Sequence, residues 1–159
     1  MIDTDTLARL RAMRLSGMAQ CFEQIAETPG QANLTAPEVV KMAIEWEWER
    51  RQNSKLTRLR RQAALAQPQA DAADIRTIPG RTLDTEMITR LAVGTYITKH
   101  QDLVLQGPTG SGKTYVACAL ANKACQQFHT ALYLPAAELF DRLRAADRAG
   151  DRPRVMDTL

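Results

Sequence analysis

At 159 residues, with 45% hydrophobic and 25% charged side chains, the chain has the make-up of one ordinary globular domain or one and a half. A net charge of only +3 excludes a uniformly polycationic nucleic-acid binder, so any such surface must come from local clustering. No apolar run approaches the ~20 residues of a membrane span, and the acidic start Met1-Ile-Asp-Thr-Asp5 lacks a signal-peptide core, which points to the cytoplasm.

The first element is a helix capped by Thr4 or Asp5, with Leu7, Leu10, Met18, Phe22 and Ile25 at roughly helical intervals. Gly17, inside Leu15-Ser-Gly-Met18, is poor in a helix interior and is expected to split it into two helices at an angle. Thr28-Pro-Gly30 closes the segment. Cys21, Cys118 and Cys125 lack metal-type spacing and read as small buried thiols.

Thr35-Ala-Pro37-Glu38 is a capping box with proline in the first turn. It opens a helix from about Pro37 to Gln62, with Val40, Ile44 and Trp48 on one stripe, continued by Leu56, Leu59 and Ala63. Trp46 and Trp48 read as core or interface packing rather than base-stacking platforms. Glu38, Glu45, Glu47 and Glu49 fill the first half; Arg50, Arg51, Lys55, Arg58, Arg60 and Arg61 fill the second. At 100° per residue, Arg50, Arg51, Lys55, Arg58 and Arg61 fall within an arc of about 140°. Such a face is either solvated or a contact for a phosphate backbone, and those five residues are the candidates for DNA binding.

Residues from Gln67 to Gly80 read as a connector with at most one extended piece, Ile75 to Ile78, and the domain boundary is placed near residue 80. Thr82 or Asp84 then caps a short helix holding Met87, Ile88 and Leu91, ended near Gly94. A first strand is expected at Leu103 to Leu105 and a second at Thr130-Ala-Leu-Tyr-Leu134. Pro135 stops the second, a helix with Leu139, Phe140 and Leu143 follows, and Arg148 to Arg154 read as a polar turn.

Between the expected strand and an Ala-rich helix lies the full G-x-x-x-x-G-K-[ST] pattern, Gly107-Pro-Thr-Gly110-Ser-Gly112-Lys113-Thr114. Backbone N–H groups reach phosphate oxygens only where side chains are absent, so Gly107, Gly110 and Gly112 allow a nest of donors. The helix beginning near Lys113 aims its positive end at the same point. Lys113 neutralises β/γ oxygens, and the Thr114 hydroxyl suits Mg²⁺. Gly107, Pro108, Thr109, Gly110, Ser111, Gly112, Lys113 and Thr114 are therefore the candidate site for ATP and Mg²⁺, with Thr114 toward the metal.

Leu10-Arg-Ala-Met-Arg-Leu-Ser-Gly-Met18, the Glu-Trp-Glu-Arg-Arg51 helix, Gly80-Arg-Thr-Leu-Asp84 and the phosphate loop through Leu120 together resemble the IstB-like transposition-helper ATPases. These are AAA+ proteins related to DnaC-type helicase loaders. The resemblance implies an α/β fold class: residues 1–79 as a helical DNA- or partner-binding domain, residues 80–159 as the first part of a three-layer P-loop core with an incomplete sheet. It implies homo-oligomers acting on DNA with a transposase, and it sets Tyr96 and Ile97 near the adenine. In the AAA+ strand order 5-1-4-3-2 the two strands expected here are not neighbours. Walker B acids, sensor residue and arginine finger are not found among the 159 residues, so no catalytic residue is assigned. The chain is expected to be a truncated form that does not hydrolyse ATP alone. A helicase-loader fragment, or a non-enzymatic helical module with a vestigial loop, are the alternatives.

Overall fold

The computed structural model describes residues 3–28, 34–76 and 83–157. In chain order it contains α1 (Thr4–Ala12), α2 (Ser16–Glu27), α3 (Ala36–Ala63), a 3-10 turn (Ala72–Asp74), α4 (Thr85–Ala92), α5 (Thr95–Thr98), α6 (Lys113–Gln126), α7 (Ala136–Ala149) and α8 (Arg152–Asp157). The chain divides into two compact units, Met1–Lys55 and Leu56–Leu159. That division falls inside α3.

In the first unit the cap sits one residue earlier than the sequence suggests. Asp3, with extended backbone, accepts the Thr6 amide at 2.6 Å, and Thr4 and Asp5 already lie in the helix. The chain breaks between α1 and α2 at Met13–Leu15, where Arg14 adopts a positive φ and Leu15 N–H returns to Leu10 O at 2.8 Å. Gly17 stands inside α2, buried against α3. The capping box forms: Thr35 N–H and Thr35 Oγ1 both donate to Glu38 Oε2, at 2.8 and 2.7 Å. Pro29 and Gly30 lie outside the described residues.

One packing expectation is reversed. Val40, Ile44 and Trp48 are 52%, 54% and 64% exposed, whereas Ala43 and Glu47 are buried. Two residues explain the rotation. Gly17 offers α3 a flat surface with no side chain, and Glu47 follows it inward because its carboxylate finds a donor there.

In the second unit the last turns of α3 bury Leu59 and Ala63 in a core with Leu65, Ala70, Ala72, Ile88, Val116, Cys118, Ala119, Leu120 and Cys125. The connector 64–76 is thus a packed segment with a 3-10 turn capped by Asp71, not a loose linker. Asp84 caps α4 through the Met87 amide at 2.5 Å; Thr82 and residues 77–80 lie outside the described residues. Arg152–Asp157 is helical where a polar turn was expected, with Arg152 and Asp147 paired at 3.1 Å across the break.

The expected α/β class is not what forms. Among the described residues there is no strand and no sheet; residues 101–108 and 129–135 run without regular structure. An extended run becomes a strand only when a neighbour supplies its ladder. The segments around Val104 and Leu132 do not pair with each other: Val104 is 73% exposed, and Tyr133 N–H donates instead to Ala63 O, at 2.8 Å. What organises the second unit is helix packing around α6.

Candidate phosphate-binding loop

The loop is built by backbone conformations that glycine supplies. Gly110 and Gly112 have φ of 79° and 92°, in the left-handed region, and Gly112 is the N-cap of α6. Ser111 N–H closes a turn on Pro108 O at 3.3 Å, and the first helical bond runs from Val116 N–H to Gly112 O at 3.0 Å. No side chain caps α6. Its first N–H groups have no intrahelical acceptor, so the positive end of a fourteen-residue helix lies at the loop.

Gly107 to Thr114 are thereby brought to one place, and most of them are exposed. Lys113 curls back over the loop, Nζ donating to Gly107 O at 2.8 Å and to Pro108 O at 2.7 Å. The ammonium is held by neutral carbonyls that an anion of higher charge can outcompete. Thr114 is exposed on the first turn of α6. Tyr96 is half-buried on α5, where burial pushes its phenol up.

Behind the loop, α6 is held by contacts that the sequence reading missed. Asn122 is buried, and its Nδ2 donates to Pro68 O at 3.0 Å and to Ala70 O at 2.8 Å. Asp71 N–H donates to the Tyr115 hydroxyl at 3.4 Å, and Lys123 lies 4.0 Å from Asp71. At the far end, Gln127 Nε2 donates to Ala92 O at 2.9 Å and Val93 O at 3.2 Å, fastening α6 to the end of α4. The available signal was an amide, Asn122, at a helical position between Ala119, Leu120 and Ala124.

The basic candidates on α3 separate. Glu47 accepts from Arg51 Nε at 2.7 Å and lies 3.7 Å from Arg50 Nε, so these two cations share one carboxylate within the first unit. Arg58 and Arg61 are exposed on the part of α3 that belongs to the second unit. Lys55 is exposed and engaged in an interaction of its own. Arg60, outside the arc, has its positive charge close enough to lower the Cys125 thiol, against a larger upward push from burial. All three cysteines are buried and unpaired.

Comparison with known proteins gives the family. Residues 8–159 match the family model described as IstB-like ATP binding protein. The chain is 38% identical along its whole length to a protein described as the ATP-binding protein of insertion sequence IS1162 in Pseudomonas fluorescens, 69% of which it covers. It is 34% identical to each of two insertion-sequence ATP-binding proteins of Sinorhizobium fredii, aligning over 94% and 100% of its own length and covering 60% and 64% of theirs. The chain thus spans less than two thirds of these last two relatives. No helix among the described residues is long and apolar enough to cross a membrane. With the family model covering all but the first seven residues, the chain belongs to the IstB-like ATP-binding proteins of insertion sequences.

Proposed function

We propose that Gly107, Pro108, Thr109, Gly110, Ser111, Gly112, Lys113 and Thr114 bind the phosphates of ATP, with Thr114 toward Mg²⁺, and that the protein serves as a nucleotide-dependent helper of DNA transposition. The observation that carries this reading is the uncapped start of α6 beneath two left-handed glycines, with Lys113 folded over the same loop. Lys113 would exchange two carbonyl acceptors for phosphate oxygens, and the helix end would supply N–H donors to the same group. Mg²⁺ would neutralise the charge that the lysine leaves uncompensated.

In this reading residues 1–79 are the DNA- or partner-binding part and residues 80–159 the nucleotide-binding part. DNA and a transposase are the partners, homo-oligomers the working form, and the cytoplasm the compartment. Support comes from the insertion-sequence relatives and from the exposed cations Arg58 and Arg61. The test is titration of the chain with a fluorescent ATP analogue, with and without Mg²⁺. Lys113→Ala should abolish binding while leaving helical content unchanged. Equal affinity of variant and parent would remove the loop from the site, and absence of binding in the parent would make the loop vestigial.

A further inference from the structure

The acidic half of α3 carries an unpartnered apolar stripe. Val40, Ile44 and Trp48 stand at i, i+4 and i+8, within about 80° of arc and over about 12 Å of helix, and each is more than half exposed. The face immediately beside the stripe is closed by Ala43 and Glu47, so the helix cannot roll to hide the stripe without breaking the Gly17–Glu47 contact. Three large side chains at this spacing, with a tryptophan among them, have the anchor pattern by which one helix docks on another.

Charge decides between partners. Glu38, Glu45 and Glu49 line one flank of the stripe, and the lone cation there, Lys41, lies 3.8 Å from Glu45. This flank repels phosphate, so nucleic acid is a poor fit. It attracts lysine or arginine set beside an apolar row. We propose that Val40, Ile44 and Trp48 dock an amphipathic helix of a partner protein whose apolar face is flanked by basic residues. The proposal rests on the partner-binding role suggested for residues 1–79, and names the surface and the chemistry that meets it.

The test uses the full chain with Trp46→Phe, so that Trp48 is the sole tryptophan. The probes are two synthetic helical peptides of ~15 residues sharing one leucine stripe, flanked by lysines in one and by glutamates in the other. The lysine peptide should bring a saturable blue shift of Trp48 emission, and the glutamate peptide should bind at least ~10-fold more weakly. Ile44→Ala should weaken the lysine peptide ~10-fold, and Glu45→Lys with Glu49→Lys should reverse the preference. No shift with either peptide, or equal binding of both, would overturn the proposal. So would a blue shift produced by duplex DNA, or one produced by raising protein concentration alone and abolished by Ile44→Asp. DNA binding through Arg58 and Arg61 is measured separately by its salt dependence, so loss of the docking surface leaves the DNA reading standing.

Discussion

The carboxylate of Glu47 caps a helix other than its own: its Oε2 accepts the Gly17 amide at 2.7 Å, across thirty residues of sequence. Helix α2 needs this, because its N-cap is Leu15, which has no side-chain acceptor to offer. The approach depends on glycine. A Cβ on Gly17 would sit 2.7 Å from Glu47 Cα and 2.8 Å from Trp46 O, both backbone-bound atoms that cannot swing aside. Gly17→Ala is therefore expected to destabilise the first unit by about 1–3 kcal/mol, the usual cost of overpacking. Both tryptophans, Trp46 and Trp48, lie in this unit, so denaturant unfolding followed by their fluorescence reads it directly. An unchanged midpoint would show that α2 does not lie against α3 in this way.

The same carboxylate makes the unit acid-sensitive. Burial pushes Glu47 up, but the Arg51 hydrogen bond, the Gly17 amide and the charges of Arg50 and Arg51 outweigh it and hold the group below the usual carboxylate range. A depressed folded value gives stability that is complete above the unfolded value and is lost as pH falls through the folded one. The first unit should weaken on acidification below about pH 4. Glu47→Gln, which keeps an oxygen for Gly17 but drops the charge, should flatten that acid limb and cost about 1–2 kcal/mol at neutral pH. This is less than a fully buried broken pair, because Arg50 and Arg51 keep contact with water. Tryptophan-detected unfolding across pH checks both; an acid limb as steep in the variant as in the parent would assign it to other groups.

These contacts show where sequence reasoning reached and where it stopped. The caps at Glu38 and Asp84 and the start of α6 were legible because they depend on residues a few positions apart: Thr35 with Glu38, Asp84 with Met87, Gly112 with Val116. The facing of α3 was not, because Val40, Ile44 and Trp48 form as good a stripe as any. Glu47 turns inward only in the presence of a bare glycine thirty residues away. The strands failed for a related reason. Leu103 to Leu105 and Thr130 to Leu134 have strand composition, but pairing is supplied by a neighbour and not by the run itself. Asn122 was overlooked because its acceptors, Pro68 O and Ala70 O, are backbone groups that composition does not advertise.

Asn122 should prove a stability determinant of the second unit. Asn122→Ala leaves the Pro68 and Ala70 carbonyls without their donor; Pro68 is exposed and can turn to water, whereas an unsatisfied buried acceptor such as Ala70 O costs ~1–3 kcal/mol. Loss of about 1–3 kcal/mol is expected. Asn122→Asp should be worse than alanine, since it sets a carboxylate against two carbonyl oxygens and the chain must desolvate it. Hydrogen exchange of the α6 amides reads this unit apart from the tryptophans. If alanine and aspartate left exchange unchanged, the amide would not be holding the connector.

The last expectation concerns the cations of α3, and the structure changes which of them matter. Sequence spacing groups Arg50, Arg51, Lys55, Arg58 and Arg61 on one face, but charge already spent inside the protein cannot release counterions from DNA. Arg51 donates to Glu47 at 2.7 Å and Arg50 lies 3.7 Å from the same carboxylate, so one of their two charges is already met, whereas Arg58 and Arg61 stand exposed in the second unit away from Glu47. Each phosphate neutralised contributes about −0.9 to the slope of log K against log salt on duplex DNA. Arg58→Ala with Arg61→Ala should then make the slope shallower by about 2 units and weaken binding alike on unrelated sequences. Arg50→Ala with Arg51→Ala should change the slope by less than half as much, and its main effect should be the loss of stability expected from stripping Glu47 of its partners. Fluorescence anisotropy with a labelled duplex at several salt concentrations separates the two pairs. An equal change in slope for both would mean that Glu47 yields its arginines to DNA. No change for either would return the whole face to solvent.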